Sequence, residues 1–146
     1  MANLTRSRYI EINCREDLAE KLVFIGGPRQ VGKTTLALHL LGADTAHPAY
    51  LNWDIPTHRA RLQRGEFPPD PLLVFDEIHK YSRWRDLLKG FYDEFAPKRS
   101  AIVTGSARLD YYRKGGDSLQ GRYHYYRLHP YSLREMAAHP GTEELE

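Results

Sequence analysis

The chain has 146 residues, 41% of them hydrophobic and 27% charged, the size and make-up of about one globular domain with a full core. No apolar run approaches the length of a bilayer span, and the polar N-terminus does not read as a signal peptide, so a cytoplasmic protein is expected. A lone cysteine, Cys14, excludes an internal disulfide framework, and a formal net charge of +2 nominates neither nucleic acid nor membrane as a partner.

Residues 1–20 read as an N-terminal extension. Lys21 to Ile25 is a short apolar run suited to a buried strand. It runs directly into Gly27-Pro28-Arg29-Gln30-Val31-Gly32-Lys33-Thr34, a complete G-x-x-x-x-G-K-T phosphate-binding loop. Its glycines let successive backbone N–H groups turn towards phosphate oxygens. Lys33 reaches the β and γ phosphates, and the Thr34 hydroxyl suits Mg²⁺. Thr35 to Leu41 reads as a helix whose N-terminus faces the same anion, with Thr35 closing the phosphate-binding stretch.

Ala49 to Trp53 is a second strand candidate, followed by a short polar helix over Thr57 to Arg64. There Arg59, Arg61 and Arg64 read as a solvated face. Phe67-Pro68-Pro69-Asp70-Pro71 is a stiff connector, because proline has no N–H and resists both elements. Leu72 to Phe75 forms a third strand and ends in Asp76-Glu77. A buried strand ending in carboxylates delivers them to the sheet edge where such folds bind ligands. Asp76 suits Mg²⁺ held through its water shell, and Glu77 could orient and deprotonate an attacking water. Ser82 reads as the N-cap of a helix over Arg83 to Phe95, with Trp84, Leu87, Leu88, Phe91 and Phe95 at helical spacing.

Ala101 to Val103 is a fourth strand, ending in Thr104-Gly105-Ser106. Thr104 or Ser106 could sense a γ-phosphate or position the water; equally, either hydroxyl could cap the following turn. Gly121-Arg122 precedes a fifth strand over Tyr123 to Leu128. Arg122 reads in two ways: as a guanidinium offered to a neighbouring subunit's nucleotide, or as one half of a structural salt bridge. The strand–helix alternation argues for a mostly parallel α/β sheet with helices on both faces. No N-K-x-D motif is present to read guanine. The seven histidines are scattered without zinc-ligand spacing. Tyr111, Tyr112, Tyr123, Tyr125, Tyr126 and Tyr131, near Arg108, Arg113 and Lys114, keep a stacking contact with nucleic acid conceivable. Packing explains such tyrosines more simply.

Together, GGPRQVGKTT, LLVFDEIHK, WRDLLKGFYDEF, VTGSARLD and SLQGRYHYYRLHPYSLRE resemble the predicted P-loop ATPases of the AAA superfamily found in archaea and bacteria. The resemblance spans roughly residues 20 to 136. In that family the AAA domain is normally followed by a poorly characterised C-terminal domain. The resemblance implies a three-layer sandwich around a five-stranded parallel sheet of order 5-1-4-3-2, with 21–136 as the core. It also implies a helical lid after the core. The core here reads as lacking that lid, and residues 137–146 as a tail or its truncated start. By the same likeness the cofactors are ATP and Mg²⁺, Thr34 and Asp76 hold the metal, and Lys33 and Glu77 serve catalysis. Ser106 or Thr104 matches the sensor, and Arg122 an arginine acting across a homo-oligomer. The expected activity is ATP hydrolysis driving or switching an attached effector. The alternatives are a non-catalytic nucleotide-dependent switch or assembly module, and a P-loop phosphotransferase.

Overall fold

The computed structural model describes residues 12–28, 32–105, 119 and 121–128. Five strands, β1 (Leu22–Gly26), β2 (Tyr50–Asn52), β3 (Leu72–Asp76), β4 (Ser100–Thr104) and β5 (Tyr123–Arg127), form one sheet. Its order is β2-β3-β4-β1-β5, every neighbouring pair is parallel, and this is the expected 5-1-4-3-2 order read from the other side. The helices are α1 (residues 12–18), α2 (Lys33–Leu41), α3 (Pro56–Gln63) and α4 (Trp84–Phe95).

The central strands are apolar throughout because both faces of the sheet are covered. Alternation along each strand sorts their side chains into two cores. Leu22, Phe24, Leu51, Leu73, Phe75, Ala101 and Val103 pack on one face against Leu62 of α3 and Trp84, Leu88 and Phe91 of α4. Val23, Ile25, Tyr50, Val74 and Ile102 pack on the other against Leu36, Ala37 and Leu40 of α2. Cys14 of α1 joins this second core and is fully buried. A Tyr126 hydroxyl to Asp17 hydrogen bond also ties α1 to β5.

Several elements begin or end differently from the sequence reading. α2 starts at Lys33, two residues early, because Gly32 takes a left-handed conformation (φ 91°) that turns the chain straight into the helix. α4 starts at Trp84 with Arg83 in the cap position and no side-chain capping bond, so Ser82 does not cap it. Arg59 is not simply solvated: its Nε donates to the Trp53 carbonyl at 2.8 Å, and its guanidinium lies 5.3 Å from the Trp53 ring centre. The proline-rich connector is fixed by Arg99, which donates to the carbonyls of Asp70 (3.0 Å) and Pro68. No helix among the described residues is long and apolar enough to cross a membrane.

Candidate functional site

The period-two alternation that builds the cores also assembles the site. Val74 faces α2, so Asp76, two residues on, faces it as well; Ile102 and Thr104 of β4 repeat the pattern. Register pairs Asp76 with Thr104 on one side and with Asn52 on the other. Asp76 is therefore carried to the C-terminal edge of the sheet, facing the N-terminus of α2, where the phosphate loop ends. The loop leaves β1 through Gly27 (φ 138°), where any Cβ would run into the Leu128 carbonyl.

Three hydroxyls converge on the Asp76 carboxylate, which is 4% exposed. Thr34 donates to Oδ2 at 3.0 Å, Tyr50 to Oδ2 at 2.5 Å, and Thr104 to Oδ1 at 2.5 Å. A buried carboxylate needs such donors, and here they come from α2, β2 and β4. The Lys33 ammonium is buried and donates to the carbonyls of Gly27 and Pro28, both at 2.8 Å. Glu77 follows with φ 60°, the sole non-glycine residue at positive φ among those described. Its N–H donates to the Thr104 carbonyl at 3.1 Å before the chain turns. A left-handed non-glycine residue is strained, and such strain gathers at functional sites. The Glu77 Oε1 lies 3.6 Å from Lys80 Nζ and 3.7 Å from His79 Nε2. Lys80 donates mainly to Asp54, which raises its pKa above the ordinary lysine value.

The sequence reading missed Tyr50. Burial first, then its bond to Asp76, pushes the phenol pKa well above the ordinary tyrosine value, so it stays a donor. Asn52 Nδ2 donates to the Tyr50 oxygen at 3.1 Å while its Oδ1 accepts from the Asp54 N–H at 2.8 Å, which fixes the orientation of the amide. The Asn52 N–H in turn donates to His58 Nδ1 at 3.0 Å. Burial, and next the Arg61 charge, lower the His58 pKa.

The structure thus brings together Gly27, Pro28, Gly32, Lys33, Thr34, Asp76, Glu77 and Thr104, with Thr35 in the first turn of α2. Thr104 is fully buried and engaged with Asp76. Arg29, Gln30, Val31 and Ser106 lie outside the described residues, as do residues 137–146. Arg122 is not brought to this group. It precedes β5, whose first residue pairs with Leu22 and whose last pairs with Gly26. It therefore sits at the opposite sheet edge, roughly 15 Å away at ~3.3 Å per residue. There its Nε pairs with Asp93 at 3.0 Å.

The oxygen-only donors at this edge suit Mg²⁺, which binds through one or two protein groups plus phosphate oxygens and water rather than a protein cage. Among the described residues no group of three or more His, Cys, Asp or Glu side chains forms such a cage. Comparison with family models matches residues 19–137 to AAA_14, an AAA domain. The chain belongs to this AAA family. Its sheet order is that of a P-loop NTPase core, and the family is one of nucleotide-binding, ATPase-type domains. A search of curated proteins finds no match to this AAA domain chain.

Proposed function

We propose that this AAA domain binds ATP with Mg²⁺ and hydrolyses it to ADP and phosphate, driving or switching an attached effector. One observation carries the reading: the Thr34 hydroxyl, at the phosphate loop, is bonded at 3.0 Å to Asp76 at the end of the acidic strand. Loop and strand are one site. Because Thr34 spends its proton on Asp76, its oxygen lone pairs remain for a cation. Lys33 exchanges its loop carbonyls for β and γ phosphate oxygens, a charge-assisted contact stronger than the two it gives up. The backbone N–H groups at the start of α2 complete the cradle. Bound Mg²⁺ would supply charge neutralisation for the phosphates. Glu77 takes a proton from the attacking water as that oxygen bonds to the γ-phosphorus, and the β–γ bridging oxygen leaves with the ADP. Arg122, at the far edge, acts on the nucleotide of a neighbouring copy.

The contacts of Glu77 with Lys80 and His79 favour a second reading, a nucleotide-dependent switch in which the base is held by its neighbours. Turnover and nucleotide affinity of the parent, Glu77→Gln and Arg122→Ala, measured over a range of protein concentrations, separate the two. Hydrolysis predicts that Glu77→Gln loses on the order of 10²–10³-fold in kcat and keeps its affinity. A parent without turnover at any concentration leaves the switch. Turnover that is independent of concentration and unchanged in Arg122→Ala removes the role of Arg122 in a neighbouring site.

A further inference from the structure

Of the three hydroxyls on the Asp76 carboxylate, those of Thr34 and Thr104 belong to motif positions; that of Tyr50 does not. Its hydroxyl reaches Asp76 Oδ2 at 2.5 Å from a neighbouring strand. It shares that oxygen with Thr34, so the residue that orients the threonine is itself oriented by the phenol. The phenol proton is aimed in turn. Asn52 Nδ2 occupies the acceptor side of the Tyr50 oxygen, and the Asn52 amide cannot flip without losing its bond from the Asp54 N–H. Tyr50 is 3% exposed.

We propose that Tyr50 is a positioning residue for the metal: with Asn52 behind it, its hydroxyl holds the Asp76 carboxylate, and through it Thr34, in the orientation that receives Mg²⁺. The inference rests on reading Asp76 as the magnesium carboxylate. It differs from simple satisfaction of a buried charge in what it predicts. A purely structural bond would support the fold and all nucleotide binding alike, whereas a positioning bond acts only when the metal is present. Outer partners of metal-binding groups behave in this way, and their loss commonly costs 10–100-fold in metal affinity. Tyr50 itself touches neither phosphate nor water in this role.

The test is the affinity for ADP, measured with excess EDTA and then across a Mg²⁺ titration, in the parent, Tyr50→Phe and Asn52→Ala. Melting temperatures of the nucleotide-free proteins are recorded alongside. The expected result for Tyr50→Phe is a metal-free affinity and melting temperature close to the parent, with about tenfold more Mg²⁺ needed for half of the metal-dependent tightening. Asn52→Ala, which leaves the phenol proton unaimed, shifts the Mg²⁺ requirement in the same direction by less. Superimposable Mg²⁺ curves for the parent and both variants overturn the proposal. So does an equal loss in EDTA and in Mg²⁺ accompanied by a lowered melting temperature, which is the signature of a structural bond. If Tyr50→Phe does not fold, the Asn52→Ala curves decide by the same criteria. A parent whose ADP affinity ignores Mg²⁺ overturns the magnesium reading of Asp76 itself, a failure visible before any variant is compared.

Discussion

The two edges of the sheet use the same kinds of side chain for opposite ends. At the N-terminal edge, polar groups close the fold. Arg99 donates to the Pro68 and Asp70 carbonyls and lies 4.2 Å from the Phe95 ring centre, and the Ser100 hydroxyl donates to the Lys21 carbonyl. The Tyr92 hydroxyl reaches the Glu20 carbonyl. Those acceptors are backbone oxygens. At the C-terminal edge the acceptor is a carboxylate, collecting three hydroxyls, and the cation is a lysine resting on the carbonyls of Gly27 and Pro28. The donors at the N-terminal edge join connector, strand and helix ends to one another, which is a structural task.

The comparison predicts that changes at one edge alter ligand binding and changes at the other alter stability. The largest effect is expected at Lys33. Lys33→Ala should weaken ATP·Mg²⁺ binding by at least ~100-fold, about 2.7 kcal/mol, while the melting temperature of the free protein stays close to the parent. Direct binding by calorimetry checks the first part and thermal unfolding the second. An unchanged affinity would mean that the C-terminal edge is not the nucleotide site. Arg99→Ala should do the reverse. Losing two charged hydrogen bonds and the contact with the Phe95 ring is expected to cost about 2 kcal/mol of stability. Nucleotide affinity of the folded fraction should not move. A denaturant titration beside the same calorimetry reads both, and a loss of affinity in Arg99→Ala would break the division of labour.

How much of this was legible in the sequence depends on the range of the interaction. The acidic strand end and the alternation of strands and helices are local patterns, and each strand and helix expected after residue 20 that the structure describes lies within one or two residues of its place, whereas α1 falls in what reads as an extension. The order of the sheet came from the family likeness, since strand periodicity alone does not say which strands are neighbours. Tyr50 was invisible for a different reason. In Ala49-Tyr50-Leu51 it looks like an ordinary strand former, and it becomes part of the site only through the parallel pairing of β2 with β3. That pairing sets Tyr50 beside Val74, and the long phenol then leans along the strand to reach Asp76 two residues further. Ser82 and Arg59 misled for the same reason. A capping preference and a run of arginines are local signals, whereas their actual partners are chosen by tertiary contacts. Arg122 was left between two readings because both are questions of what lies beside it. Within one chain its partner is Asp93, at the far edge; a role at a neighbouring copy's nucleotide is what Arg122→Ala tests.

The smallest predicted effect concerns His58, whose titration touches one edge and not the other. Its Nδ1 accepts the Asn52 N–H, which requires the neutral ring, and burial followed by the Arg61 charge keeps its folded pKa below the ordinary 6.5. The unfolded chain therefore binds the proton more readily than the folded one. The stability from this contact is fully present above about pH 6.5 and is lost as pH falls from there towards the lower folded value. The expected loss is on the order of a degree or two in melting temperature. It is isolated by comparing the parent with His58→Gln between pH 7.5 and 5.5, where the gap between them should shrink as the pH drops. The deficit of Arg99→Ala, a contact at the other edge, should stay constant over the same range. Since His58 holds Asn52, and Asn52 aims the phenol of Tyr50, the Mg²⁺ requirement for ADP binding should rise over the same interval in the parent and less in His58→Gln. A flat Mg²⁺ requirement, with the melting difference present, would show that the hydrogen-bonded chain from α3 stops at Asn52 and does not extend to the carboxylate.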